Sequence, residues 1–112
     1  MTSQLVAGQR VLALDADGYL RNLDAWSEEV ADALAQQSGL QLTAAHWEIL
    51  HLLRDFYRTR GVTPVMRILV KLVERELGPA KGNSLYLLGL FPESPARVAA
   101  RIAGLPRPVN CL

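Results

Sequence analysis

Residues that start helices and residues that end them alternate along the chain from position 27 to position 104. Ser and Thr side chains cap helix N-termini and Pro fits the first helical position, whereas Gly ends helices in the left-handed conformation. With a further short helix beginning near Asn83 or Ser84, this spacing predicts about five helices. The starting signals are Ser27, Thr43, Thr63-Pro64 and Ser94-Pro95, and the ending signals are Gly39, Gly61, Gly78 and Gly104.

The second predicted helix carries apolar residues over well over half of its surface. Seven of them lie between Trp47 and Tyr57, including the aromatic residue Phe56. Such breadth is typical of a helix that neighbours surround, rather than one that buries a single stripe. We therefore expect this helix to be the central one, with its aromatic residues in the core.

The residues before the first helix predict a β-hairpin. The segments RVLAL and YLRNL, residues 10–14 and 19–23, flank DADG, whose Asp and Gly residues favour chain reversal. A lone hairpin is marginally stable in water, so we expect it to pack against the helices. The predicted fold is therefore mainly α, with an N-terminal β-hairpin and about five helices.

The last eight residues, LPRPVNCL, differ in kind from the rest of the chain. Their two prolines exclude a continuing helix. We predict a compact helical domain over residues 1–104, hairpin included, and an extended, flexible C-terminal arm over residues 105–112. The arm could reach roughly 26 Å, at about 3.3 Å per residue. It ends in the only cysteine of the chain, Cys111.

The composition excludes several classes of protein. Of 112 residues, 50% are hydrophobic and 21% are charged, which is typical of a folded globular domain. No apolar run approaches the roughly 20 residues of a membrane span, and the N-terminus lacks the pattern of a secretory signal. A single cysteine cannot form an internal disulfide. These features predict a cytoplasmic protein with no membrane partner.

The net charge of +1 hides a difference between the two halves of the chain. Residues 1–53 hold two basic and seven acidic side chains, whereas residues 54–112 hold ten basic and four acidic ones. A basic C-terminal half suits an acidic protein surface or a nucleic acid as a partner. The alternative is that one compact domain mixes the two halves in space.

Cys111 is the first candidate for chemistry, because an exposed thiolate is a nucleophile and a sulfur carrier. Arg101 or Arg107 would lower its pKa if the arm folded back, whereas the neighbouring terminal carboxylate would raise it. From the residues alone, an incidental cysteine in a frayed tail is the alternative.

Two further patterns have competing interpretations. Glu48, His51 and Asp55 share a helix face, but a bundle metal site needs a second such set, so we predict a solvated face, no metal and no cofactor.

Residues 43–78 could form a helix-turn-helix that presents Arg67 and Lys71 to DNA. A DNA-binding regulator is therefore the main alternative function, although many small α domains contain such a pair for packing alone.

Several motifs together resemble the DsrC/TusE family of sulfur-relay proteins. The resemblance runs from DGYL to the last residue, and it includes the penultimate Cys111. It implies a small helical domain with an N-terminal hairpin, a flexible arm, and a persulfide formed on Cys111. The motifs are HWEIL, LRDFY, TPVMRILVK, KGNSLYLLGLFP and SPARVAARIAGLP.

The resemblance also implies a branch of that family. Members tied to dissimilatory sulfur metabolism carry a second cysteine eleven residues earlier, where this chain has Ala100. The single-cysteine branch implies a sulfurtransferase of the persulfide-carrier type. It would accept sulfur from a TusBCD-like donor complex and deliver it to an MnmA-like thiouridylase, for 2-thiolation of the tRNA wobble uridine. A tail that docks on a partner without sulfur chemistry is a further alternative.

The basic residues near the arm are candidates for partner binding. Arg97, Arg101 and Arg107 lie on the last helix and in the arm. They could steer the arm toward an acidic partner, or toward tRNA held by the acceptor protein.

Overall fold

A computed structural model describes residues 3–109 and shows a mainly α fold. The predicted N-terminal hairpin and five helices are confirmed. Among residues 3–109, no helix is long and apolar enough to cross a membrane. In chain order the elements are β1 (Ser3–Ala7), β2 (Arg10–Leu14), a 3₁₀ turn (Leu23–Ala25), α1 (Glu28–Gln37), α2 (Ala44–Arg60), α3 (Met66–Leu77), α4 (Ser84–Leu90) and α5 (Pro95–Ile102).

The pairing predicted for the hairpin is wrong, although one of its two strands is in the predicted place. Residues 10–14 pair antiparallel with β1, not with residues 19–23. The two-residue loop between the strands begins with Gly8, whose φ of +62° suits the first position of such a loop. The sequence of this loop is Gly-Gln, which lacks the Asn-Gly or Asp-Gly signal of a strong hairpin turn.

The DADG segment reverses the chain without forming the hairpin. The Asp15 carboxylate accepts hydrogen bonds from the amides of Asp17 and Tyr19, each at 2.9 Å. This turn leads to a single antiparallel bridge, between Leu14 and Leu20. Its role is to bring Tyr19 and Leu20 back into the core, where both are buried.

Most helix boundaries follow the predicted signals, with one exception. The Ser27 hydroxyl accepts from the Val30 amide at the start of α1, and Gly61 ends α2 with φ +73°. Thr63-Pro64 does not start α3, because Val65 is its N-cap. Thr63 and Pro64 are both buried. These two residues of the connection are therefore buried instead of forming the first turn of α3.

The helix at the centre of the fold is α5, not α2 as predicted. It packs against α1, α2, α3 and α4. Its buried face is rich in alanine, including Ala96, Ala99 and Ala100, and small side chains allow neighbouring helices to approach closely. On α2, Trp47, Phe56 and Tyr57 are only half-buried, and of these Trp47 and Tyr57 pack against the core. Because α5 is central, its C-terminal end is held from several sides.

Candidate functional site

The last turn of α5 leads directly into the C-terminal arm. Gly104 has φ +72° and donates its amide to the Arg101 carbonyl at 3.1 Å. The next amide, that of Leu105, donates to the Ala100 carbonyl at 3.0 Å. These two bonds form the Schellman motif that ends many helices. We call residues 99–105 the arm root.

Side chains from two other parts of the fold bond the last carbonyls of the arm root. The Trp26 indole donates its Nε1–H to the Ile102 carbonyl at 3.0 Å. The Arg54 guanidinium donates to the Ala103 carbonyl at 2.6 Å. Carbonyls at a helix C-terminus lack partners within the helix and are often left to water. Here every carbonyl from residue 99 to residue 103 accepts a hydrogen bond from the protein.

The Trp26 ring contacts both Arg54 and Gly104. The guanidinium carbon is 3.9 Å from the ring centre, which is the geometry of a cation–π contact. A Cβ atom at position 104 would lie 2.2 Å from Cδ1 of the ring. Burial, and to a smaller extent the charge of Arg58, lower the pKa of Arg54. Position 104 therefore requires glycine for two reasons, the positive φ and the contact with Trp26.

The structure brings the three predicted basic residues together around Tyr19. The buried Tyr19 donates its hydroxyl to the Arg97 carbonyl at 3.2 Å, and the Arg107 guanidinium carbon lies 5.9 Å from its ring centre. Burial raises the pKa of Tyr19, against the opposing charges of Arg101, Arg107 and Arg97. Arginines from α5 and from the arm thus share one neighbourhood.

The three arginine side chains differ in their partners. Arg101 is half-buried and donates to the Ser38 hydroxyl, and Arg107 forms an ion pair with Asp17 at 2.7 Å. Arg97 is exposed, and within residues 3–109 its guanidinium makes no hydrogen bond or ion pair. Of the three, Arg97 therefore presents the charge that is most available to a partner.

The arm begins inside the core, runs along the surface at Pro106 and Arg107, and is buried again at Pro108. Leu105 is buried among core residues, whereas Pro106 and Arg107 are exposed and line a groove of about 490 Å³. The other residues of this groove are Asp15, Tyr19, Leu20, Arg21 and Leu23. The predicted carrier residue, Cys111, lies outside the described residues 3–109.

The profile of a family described as DsrC like protein matches residues 6–112. This chain belongs to the DsrC-like family. It is 48% identical to sulfurtransferase TusE of Pectobacterium atrosepticum over 103 residues, which cover 92% of this chain and 94% of that protein. Relatives of this name support a role in sulfur relay.

Solved structures of DsrC proteins share the fold. The NMR structure of Allochromatium vinosum DsrC matches with a TM-score of 0.91 and 44% identity, covering 100% of both chains. The crystal structure of the oxidized gamma-subunit of dissimilatory sulfite reductase (DsrC) from Archaeoglobus fulgidus gives a TM-score of 0.85 and 42% identity, covering 98% of this chain and 100% of that one. The sequence identities to the TusE and DsrC proteins are therefore too close to each other to assign this chain to one branch of the family.

In this member of the DsrC-like family, position 100 lies within the arm root. Ala100 is fully buried on α5, and its carbonyl accepts the Leu105 amide. According to the resemblance, position 100 distinguishes the two branches of the family. In this chain it lies next to the start of the segment that leads to Cys111.

Trp26 and Arg54 were not predicted as site residues. A signal for Arg54 exists in the sequence, because a basic residue four positions after the apolar Leu50 falls on the buried face of its helix. A charge on such a face needs a partner in the folded protein. Trp26 carries no comparable signal, since it precedes the helix cap Ser27 in a segment without periodicity.

The side chains that could have formed a metal site on α2 make separate contacts. Glu48 pairs with Lys81 at 2.7 Å, His51 stacks on Trp47, and Asp55 pairs with Arg58. Residues 3–109 contain no group of three or more His, Cys, Asp or Glu side chains that could hold a metal ion.

The predicted helix-turn-helix corresponds to α2 and α3, joined by residues 61–65. Arg67 and Lys71 are exposed on α3, whereas Leu69, Leu72 and Val73 of the same helix are buried. One face of α3 thus packs into the core. DNA binding by its exposed face stays a prediction.

Proposed function

We propose that this protein carries sulfane sulfur as a persulfide on Cys111 and passes it on toward 2-thiolation of the tRNA wobble uridine. One observation carries this proposal: a chain of the DsrC-like family has a single cysteine, in the penultimate position. Position 100, where the resemblance puts a second cysteine in dissimilatory members, is Ala100. The naming of the TusE relatives as sulfurtransferases supports the same role.

The chemistry consists of two thiol–persulfide exchanges. In the first, the Cys111 thiolate attacks the terminal sulfur of a donor persulfide, a new S–S bond forms, and the donor leaves as a thiolate. In the second, an acceptor thiolate attacks the outer sulfur on Cys111, and the Cys111 thiolate leaves. The sulfane sulfur moves without change of oxidation state, so neither step needs an oxidant or a reductant.

A single cysteine favours a one-way transfer. A second thiol within reach would attack the inner sulfur of the persulfide, break its S–S bond, release the outer sulfur as hydrosulfide and close an internal disulfide. With Ala100 in that place, no other cysteine of this chain can compete with the acceptor. The persulfide on Cys111 is therefore available until an acceptor thiol arrives.

The proposed partners are a TusBCD-like donor complex and an MnmA-like thiouridylase, in the cytoplasm. Contact with tRNA is indirect, through the acceptor. The proposed architecture is the compact domain 1–104 and the flexible arm 105–112, whose reach lets one thiol enter two different partner sites in turn. Because the arm starts at the core residue Leu105, that reach is measured from a fixed point on the domain.

Arg97, Arg101 and Arg107 are the proposed partner-binding residues. Their common location around Tyr19 supports this assignment, since it concentrates positive charge beside the start of the arm. Steering by such charges acts on the association rate and is screened by salt. We expect Arg97→Glu to have the largest effect, because its side chain is exposed and has no ion pair among residues 3–109.

The proposal is tested by reconstituting the relay. The protein is combined with the donor complex, the acceptor and tRNA, and 2-thiouridine is measured in the digested tRNA. We expect thiolation to require the protein and to disappear with Cys111→Ser. If the complete mixture thiolates tRNA equally well without the protein, and the protein instead retards a DNA fragment, the regulator alternative replaces this proposal.

A further inference from the structure

The arm root is held by two residues that are distant from it in sequence. Trp26 bonds the Ile102 carbonyl, and Arg54 bonds the Ala103 carbonyl. We infer that Trp26 and Arg54 are positioning residues for sulfur transfer, because they fix the direction in which the arm leaves the domain. This inference rests on the proposed function of Cys111.

Neither residue is needed merely to end the helix. The amides of Gly104 and Leu105 already close the Schellman motif, which by itself terminates a helix. The two remaining carbonyls belong to the peptide groups that join α5 to the arm. Hydrogen bonds from outside the segment fix the orientation of these peptide planes, and the planes set the exit direction of the residues that follow.

The contacts of the two residues depend on each other. Arg54 stacks on the Trp26 ring at 3.9 Å while it donates to Ala103 at 2.6 Å. The Trp26 ring also contacts Gly104 so closely that a Cβ there would lie 2.2 Å from it. A planar guanidinium can stack and donate at the same time, which the ammonium of lysine cannot reproduce. Arg54→Lys therefore loosens the arrangement while keeping the charge.

The exit direction matters because Cys111 follows the arm root by six residues in the sequence. The six residues that follow Leu105, up to and including Cys111, can span roughly 20 Å when fully extended, at about 3.3 Å each. If the first peptide groups turned freely, the thiol would spread over a larger volume, and its effective concentration at a partner site would fall. The rate at which a small, freely diffusing persulfide loads Cys111 does not depend on this direction. The comparison of small and protein reactants therefore separates positioning from chemistry.

The experiment uses the full chain with Arg54→Lys or Trp26→Phe. The matched controls are Arg58→Lys, one turn further along α2, and Trp47→Phe, the other tryptophan. Single-turnover rates are measured for loading of Cys111 by a glutathione persulfide and for transfer to the acceptor protein. We expect both Arg54→Lys and Trp26→Phe to transfer to the protein about tenfold more slowly, with loading unchanged. Both controls should behave as the wild type in each assay.

A second measurement follows the arm directly. Because Cys111 is the only cysteine, a thiol-reactive fluorophore labels it alone. We expect the fluorescence anisotropy of this probe to fall in Arg54→Lys and Trp26→Phe, under conditions where circular dichroism matches the wild type. If Trp26→Phe does not fold, Arg54→Lys provides the test.

The possible results separate the inference from the proposed function. Unchanged anisotropy and unchanged protein transfer in both variants would overturn the inference, as would a parallel loss of loading and transfer. If wild-type Cys111 is never loaded, the proposed function fails, and the anisotropy still decides whether Trp26 and Arg54 direct the arm.

Discussion

The arm root and the segment that follows it are held in different ways. In residues 99–105 every carbonyl up to Ala103 has a protein donor, and Leu105 is buried. Arg107, two residues further on, is held by an ion pair with Asp17 whose side chains are 55% and 52% exposed. Buried hydrogen bonds are costly to break, whereas exposed ion pairs contribute little. The exposed pair at Arg107 is thus a weaker constraint than the arm root, and the next residue, Pro108, is buried again.

This contrast predicts the largest stability loss for Gly104→Ala. Its matched control is Gly61→Ala, since Gly61 also follows a helix, with φ +73°, but a Cβ there would meet nothing within 4 Å among residues 3–109. The left-handed backbone costs alanine about 1 kcal/mol at either site, and overlap with Trp26 raises the loss at Gly104 to about 3 kcal/mol. Urea unfolding of both variants measures the difference. Equal losses would show that Trp26 does not restrict position 104.

The second prediction concerns Arg54. Arg54→Met removes the donor to the Ala103 carbonyl and the cation–π contact, so we expect the free energy of unfolding to fall by about 2 kcal/mol. Arg58→Met breaks only an exposed pair with Asp55 and should cost less than about 0.5 kcal/mol. Denaturant unfolding of the two variants side by side checks this. A loss at Arg58 as large as that at Arg54 would contradict the assignment of constraint to the arm root.

Tyr19 contacts α5 through the Arg97 carbonyl and the arm through the Arg107 guanidinium, and the pH dependence of stability reports on its burial there. Tyr19→Phe removes the hydrogen bond to the Arg97 carbonyl and should cost about 1 kcal/mol at pH 7. Burial raises the pKa of Tyr19 above its ordinary value of 10.0, so the folded state favours the neutral phenol. The unfolded state then loses its proton first, and the stability of the wild type falls as the pH rises above 10.0.

In the Tyr19→Phe variant this titration is absent. The stability difference between wild type and variant should therefore shrink above about pH 10, as measured by urea unfolding at a series of pH values. A difference that stays constant with pH would show that the Tyr19 hydroxyl is not buried in the folded protein.

The smallest effect is expected at Arg107, which is exposed between the buried residues Leu105 and Pro108. Arg107→Ala should lower the free energy of unfolding by less than about 0.5 kcal/mol, because its partner Asp17 is also exposed. Asp17→Ala is the matched control and should give a similar value. Thermal unfolding at low and high salt measures both. A loss above about 1 kcal/mol, insensitive to salt, would mean that this segment is fixed as firmly as the arm root.

Local signals predicted much of the fold, because they act within one helical turn. The cap at Ser27 and the stop at Gly104 are determined by residues a few positions away. The wrong partner predicted for the strand 10–14 and the wrong helix start predicted at Thr63 have a different origin. Tertiary packing decides which strand pairs with which and whether a connection is buried. Local turn and cap preferences carry no information about that packing.

The candidate site was predictable only in part, for the same reason. Arg97, Arg101 and Arg107 are close in sequence to the arm, so their relevance could be expected. Their common neighbour Tyr19 is 78 positions from Arg97. The contacts of Trp26 and Arg54 with the arm root span 76 and 49 positions. A local pattern marks Arg54 as a charge that needs a partner, but no local pattern identifies the arm root as that partner.

The central claim, that Cys111 is a sulfur carrier, is tested most directly by intact-mass measurement of the protein after incubation with a persulfide donor. We predict a gain of one sulfur atom, located on the C-terminal peptide, reversed by dithiothreitol and absent from Cys111→Ser. A wild-type protein whose mass is unchanged, under conditions where the donor persulfide is consumed by another thiol, would contradict the account.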